Sequence, residues 1–202
     1  NSAVHALLIQ NTINAKILNV STYYRVHGLV IKTIGCNLNG LDAHGHAVNG
    51  LIFKANDYAY GEQNSATNIY ITSIEDYDGG GIHFVSEHSI LSFVRLTNFN
   101  VEFTTYGIMN TSTGGVYTEG HTISNGVIYE TQGVGIDMDS TFLNSVFSNI
   151  DQRRGESGYL IYQDYSMYRT SLCFINCKSS ENTNTDWNIT ASNLSEVYLN
   201  NC

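Results

Sequence analysis

The 202-residue chain contains no proline. Proline removes a ladder hydrogen bond from any strand that carries it, so its absence leaves every segment free to pair in a sheet. Cations are scarce as well. Nine Lys plus Arg stand against eighteen Asp plus Glu, a formal charge of −9. Binding to a phosphate backbone needs a condensed basic surface, so nucleic acid is excluded as a general partner. No run of about eighteen apolar residues is present to cross a bilayer as a helix, so no membrane insertion is expected. The opening NSAVHALLIQ lacks the basic flank of an export signal. Four cysteines are too few for a disulfide scaffold. Cys173 and Cys177 cannot bond each other in extended chain, because roughly 13 Å separates their Cα atoms and a disulfide needs about 4.4–6.8 Å.

What remains is rich in glycine (18), tyrosine (14) and asparagine, and 42% of residues are hydrophobic, enough for one sizeable core and a single domain. Such a chain reads as strand and turn. Glycine-led apolar segments recur as GLIF from Gly50, GIHF from Gly81, YGIMN from Tyr106, GIDM from Gly135 and GYLIY from Gly158. The last four start their apolar runs at Ile82, Ile108, Ile136 and Tyr159, spaced 26, 28 and 23 residues. A second family ends in small polar residues: IYITSIE, VRLTNFN, HTISNGVIYE, SVFSNID, CFINCKS and VYLNNC. Its register positions Ile74, Phe99, Ile150, Cys177 and Cys202 keep the same period of about 25 residues, with HTISNGVIYE as the turn between Phe99 and Ile150.

The segments are too short for helices and leave no room for helical crossovers, so parallel strands must stack as a coil. The expected fold is all-β: a right-handed, single-stranded parallel β-helix with rungs of about 25 residues. Ile82, Ile108 and Ile136 form one inward column, and Phe84, Asn110 and Met138 another. His83, Met109, Asp137 and Leu160 face outward. Cys177 stacks on Cys202. Loop insertions are expected near 38–47, 56–67, 151–157 and 179–188. The sequence starts and stops in mid-coil, so its ends are expected to be covered by other parts of a longer chain or by identical subunits.

Within GVGIDMDS, Asp137 and Asp139 point the same way from one strand, with Cα atoms roughly 6.5–7 Å apart. Such a pair suits acid and base chemistry if its environments separate the two pKa values. Solvated strand face is the alternative. Glu102, Glu130 and the loop carrying Arg153 and Arg154 lie nearby in the coil; the arginines either hold an acidic sugar or neutralise their neighbours. Tyr162 and Trp187 are of the type that stacks on sugar rings. Glu75, Asp76 and Asp78 with His83 offer oxygen-rich ligation of calcium, centred on Asp76 and Asp78, without the spacing of a helix-flanked calcium loop. His44 and His46 with Asp42 alternate as zinc ligands do, but no fourth ligand follows. No nucleotide fingerprint or nucleophile elbow is present, and no organic cofactor is expected.

The period, the stacked GI and GV strand starts and the asparagine-rich strand ends resemble the pectate-lyase-like right-handed β-helix superfamily. Its bacteriophage tailspikes and host-binding appendages, tyrosine-rich and acidic, are nearest in character. That resemblance implies a polysaccharide partner, a homotrimer, and a virion-tail or extracellular location. It maps a hydrolase aspartate pair onto Asp137 and Asp139, with Glu102 as a third carboxylate, and sugar contacts onto Glu130, Arg153, Arg154, Tyr162 and Trp187. A secreted lyase or epimerase and a purely structural spike segment are the other activities it allows.

Overall fold

The computed structural model describes residues 5–23, 26–55, 63–73, 79–113, 115–139, 141–163, 170–191 and 195–202. Among them the chain winds as a right-handed parallel β-helix with three stacked sheets. The eight-stranded sheet contains, in order, His5–Ile13, His27–Ile34, Asn49–Lys54, Gly80–Ser86, Ile108–Ser112, Val134–Met138, Ser157–Gln163 and Thr185–Ala191. The nine-stranded sheet runs from Lys16–Tyr23 through Asn37–His44, Ser65–Thr72, Arg95–Glu102, Thr122–Tyr129 and Ser145–Arg153. It continues through Thr170–Ile175 and Lys178–Ser180 to Ser195–Asn200. A three-stranded sheet of Leu91–Ser92, Thr118–Glu119 and Phe142–Leu143 closes the middle rungs.

One inward column fixes the rungs: Leu7, Leu29, Leu51, Ile82, Ile108, Ile136, Tyr159 and Trp187 are successive neighbours. Each strand alternates, so this column and the one through Phe53, Phe84, Asn110 and Met138 fill the coil while the residues between them face out. The aromatic rings continue the stack inside: Phe53 on Phe84 at 5.5 Å, Phe147 on Phe174 at 4.7 Å and Tyr159 on Trp187 at 3.9 Å. Each fully buried side chain of this size contributes roughly 1.5–3 kcal/mol of hydrophobic stabilisation. Asn110, 5% exposed, is the polar member, and its amide is fully used below.

The nine-stranded sheet bends at one position in every rung. Asn19, Asn68, Asn98, Asn125, Asn149, Asn176 and Asn201 all take φ between +51° and +57°, and Gly40 occupies the same column at +85°. Asparagine tolerates the left-handed region because its short amide bonds locally. Here the amides also bond each other: Asn149 donates to Asn125 at 3.0 Å, Asn176 to Asn149 at 3.2 Å and Asn201 to Asn176 at 3.2 Å. The asparagine-rich strand ends are therefore corners.

Three expectations change. Phe99 lies beside Ile69 and not Ile74, which is outside the described residues. Residues 38–44, 151–153, 178–180 and 185–188 are strand, not inserted loop. Outward positions of these rungs carry Asn, Asp, Arg and Ser, and in 151–153 and 178–180 the inward positions, Gln152 and Ser179, are polar too, so the segments read as polar loops. Of 56–67, residues 56–62 lie outside the described set and Ser65 already begins a strand. All four cysteines are free thiols; Cys177 is buried on the rung above Cys202.

Candidate functional site

The outer face of the eight-stranded sheet carries a column of Leu8, Val30, Ile52, His83, Met109, Asp137, Leu160 and Asn188. Asp137 is thus flanked along the coil by Met109 and Leu160, and Tyr162, 48% exposed, shares its face on the next rung. Burial among these neighbours, and then the carboxylate of Asp139, raises the Asp137 pKa above the ordinary aspartate value.

Asp139 is held differently. Its Oδ1 accepts from Asn110 Nδ2 at 2.8 Å, from Thr141 N at 2.9 Å and from the Thr141 hydroxyl, while its own N–H donates to Asn110 Oδ1 at 3.0 Å. The buried Asn110 amide thereby locks the turn after Met138. One carboxyl is half-buried and biased toward its protonated form; the other is oriented by three donors. The two carboxyl groups thus sit in different surroundings.

A groove of about 470 Å3 opens on the same face toward the first rungs. Its floor is the aliphatic part of the outward column, Leu8, Val30 and Ile52 with Val85, and its walls carry His5, His27, His83, Lys32, Lys54 and Glu87. His5 stacks on His27 at 5.2 Å. Asn49 Nδ2 lies 3.4 Å from His27 Nδ1, and the Tyr106 hydroxyl donates to Asn49 Oδ1. Gly80 makes room for the Tyr106 ring, since a Cβ there would lie 2.3 Å from Tyr106 Cζ. His83 Nε2 is 2.6 Å from Thr111 Oγ1, and burial followed by the charge of His27 lowers its pKa to about 4. Burial, then His5 and His46, lowers that of His27. Lys54 Nζ pairs with Glu87 Oε2 at 2.7 Å. The sequence held this signal in HALLIQ, HGLVIK and NGLIFK, three segments 22 residues apart, the last two led by Gly28 and Gly50.

The remaining candidates belong to other surfaces. Glu102 lies on the nine-stranded sheet, accepting from Asn100 Nδ2 at 2.6 Å and Tyr70 OH at 3.2 Å, so the fold does not bring it to Asp137. Arg153 pairs with Asp151, and Arg154 bridges Glu130 at 3.2 Å and Glu181 at 2.9 Å with its guanidinium 5.3 Å from the Tyr129 ring centre. Both arginines are thus paired with neighbouring carboxylates. Trp187 points into the coil, stacked on Tyr159 and edge-on to Phe174 at 5.5 Å, and is no outer-face sugar platform.

Asp76 and Asp78, the expected calcium position, lie outside the described residues. His44 and His46 part company: His44 Nε2 lies 2.6 Å from Asp42 on the surface, while His46 is buried against Thr22 Oγ1 at 3.1 Å. Among the described residues no group of three or more His, Cys, Asp or Glu is placed to hold a metal ion. Among the described residues no helix is long and apolar enough to cross a membrane.

No family model matches the chain, and no curated protein matches it. Among solved structures it is similar to the catalytic domain of Agl-KA, at 12% identity and a TM-score of 0.30, over 95% of this chain and 48% of that one. The chain therefore spans about half the length of that domain, whose activity is a property of that protein.

Proposed function

We propose that this β-helix is a tailspike-like domain that binds a cell-surface polysaccharide along the outer face of its eight-stranded sheet and hydrolyses it with Asp137 as proton donor. One observation carries the reading. Asp137 is half-buried with a raised pKa beside an Asp139 whose carboxylate is oriented by Asn110 and Thr141, on the face that also holds the groove. A proton donor needs a raised pKa, and burial next to a second carboxylate shifts Asp137 in that direction. Asp139, oriented by Asn110 and Thr141, then serves as the carboxylate partner that activates water or stabilises positive charge at the anomeric carbon. Tyr162 supplies an exposed ring one rung away for stacking on a sugar. Glu102 has no part in this site. A homotrimer and a virion-tail or extracellular location belong to the same reading.

The test is incubation with a panel of bacterial capsular and lipopolysaccharide O-chain polysaccharides. It reads oligosaccharide release, ultraviolet absorbance of unsaturated products, and molar mass by light scattering, for the parent, Asp137→Asn and Asp139→Asn. Release of saturated oligosaccharides that falls at least about 100-fold in Asp137→Asn supports the reading. Unsaturated products would replace hydrolysis by elimination. Binding without release, equal in all three proteins, would leave a binding domain and make the aspartates a strand face.

A further inference from the structure

The cysteines take no part in the site above, and two of them are stacked. The strands Thr170–Ile175 and Ser195–Asn200 pair in parallel and in constant register, from Thr170 beside Ser195 to Ile175 beside Asn200. That register carries past the strand ends. Asn176 and Asn201 turn the same left-handed corner, at φ +51° and +53°. Across it Asn201 Nδ2 donates to Asn176 Oδ1 at 3.2 Å, and Asn176 N donates to Asn200 O at 2.8 Å. Cys177 and Cys202 are the next residues on the two rungs. We infer that this pair is a cross-linking site, oxidised by a small-molecule disulfide to an intramolecular Cys177–Cys202 bond that ties one rung to the next.

Geometry and access carry the inference. Residues in register on successive rungs have Cα atoms about 4.8 Å apart, inside the roughly 4.4–6.8 Å that a disulfide spans. Both thiols lie at one strand end: that of Cys177 donates to Ile175 O at 3.6 Å, and that of Cys202 reaches back a rung to Phe174 O at 3.5 Å. The other two cysteines have no such neighbour. Cys173 stands between Val146 and Tyr198, and Cys36 is buried with its N–H on Asn64 Oδ1, among the early rungs. Cys202 is exposed and Cys177 buried, so the reaction starts at Cys202. Its thiolate attacks one sulfur of the external disulfide, forming a mixed disulfide and expelling one thiolate. Cys177, its proton passed to solvent, then attacks Cys202 Sγ and expels the second. Two protein thiols lose two electrons and two protons, and the small disulfide leaves as two thiols. Burial pushes the Cys177 pKa up to about 11, so this second step is slow at neutral pH and quickens as pH rises.

The test incubates the whole chain with oxidised glutathione and reads intact mass, peptide maps without reductant, and hydrogen exchange by mass spectrometry. The parent and Cys173→Ser are expected to lose two hydrogens and to yield a linked Cys177–Cys202 peptide. Cys202→Ser should yield no linked peptide, and Cys177→Ser should stop at glutathione bound to Cys202. In the parent, closure from the mixed disulfide should quicken about tenfold per pH unit on the alkaline side of neutrality, as the Cys177 thiolate fraction grows. The bond should also slow exchange of the Ser195–Asn200 amides at least about tenfold while leaving those of Ile82 and Ile108 unchanged, because it holds only the outer rung. Four results overturn the inference: a glutathione adduct on Cys202 that persists in the parent, linked peptides that contain Cys36 or Cys173, disulfide-linked dimers in place of the internal bond, or an internal bond that leaves exchange at Ser195–Asn200 unchanged.

Discussion

At the scale of single residues, the polar groups that matter are those whose surroundings disfavour their charge. Asp137 was legible in the sequence as half of an outward pair; what spacing could not show was that Met109 and Leu160 bury it while Asn110 and Thr141 anchor its partner. A carboxyl with a raised folded pKa favours the folded state only while protonated, so that stabilisation is lost as pH rises from the unfolded value through the folded one. Asp137→Asn is therefore expected to melt above the parent at pH 7 and to lose that advantage near pH 3. Equal melting at both pH values would mean that the carboxyl carries no burial penalty. His121 gives the opposite limb. It is fully buried between Phe84 and Phe142, accepts from Val94 N through Nδ1 at 3.1 Å, and burial lowers its pKa to about 3. The unfolded chain takes up that proton below pH 6.5 and the folded one does not, so stability falls with pH, by about 2 kcal/mol at pH 5. His121→Asn keeps an acceptor near the Nδ1 position and cannot titrate. Its denaturant midpoint should change less between pH 7 and pH 5 than the parent's, by an amount equivalent to about 2 kcal/mol.

At the scale of elements, the inward columns were readable because burial leaves its mark at every second position of a strand. The Ile82, Ile108 and Ile136 column and the outward run from His83 to Leu160 stand where alternation puts them. The lysine and histidine groove was not readable in the same way. It forms from outward positions on strands 22 and 31 residues apart, and outward positions carry no periodic constraint of their own. Polar rungs such as Asn37–His44 read as loops for that reason. Asparagine repetition was visible, but its cause, a left-handed corner repeated in each rung, needs the third dimension. At Asn149 the corner has φ +52° and two side-chain amide bonds to neighbouring rungs. Asn149→Ala loses both bonds and strains the backbone, whereas Asn149→Gly loses the bonds alone. The alanine variant should be less stable by about 1 kcal/mol than the glycine variant in urea unfolding. Equal stability or the reverse order would show that the left-handed corner does not penalise a side chain at this position.

At the scale of the whole molecule, a coil of rungs is stabilised almost entirely by nearest neighbours, so each rung is as stable as the pair of surfaces it buries. Those surfaces are uneven here. Gly80–Ser86 and the strands beside it are buried on nearly every inward position, with Ile82, Phe84, Ile108 and Ile136 fully inaccessible. His5–Ile13 is half-buried at best, with Leu8 39% and Ile13 72% exposed, and Tyr198 and Leu199 of Ser195–Asn200 are about half exposed. Local opening should therefore cost least in these outer rungs. Native-state hydrogen exchange is expected to show amides of Ile82, Ile108 and Ile136 protected by the global unfolding free energy. Those of His5–Ile13 and Ser195–Asn200 should exchange at least about 100-fold faster, through openings that denaturant hardly affects. The same measurement at rising protein concentration bears on assembly. If outer-rung protection climbs toward that of the centre as the protein is concentrated, identical chains cover those surfaces and the homotrimer gains physical support. Fast exchange independent of concentration would leave the outer rungs bare and count against assembly through them.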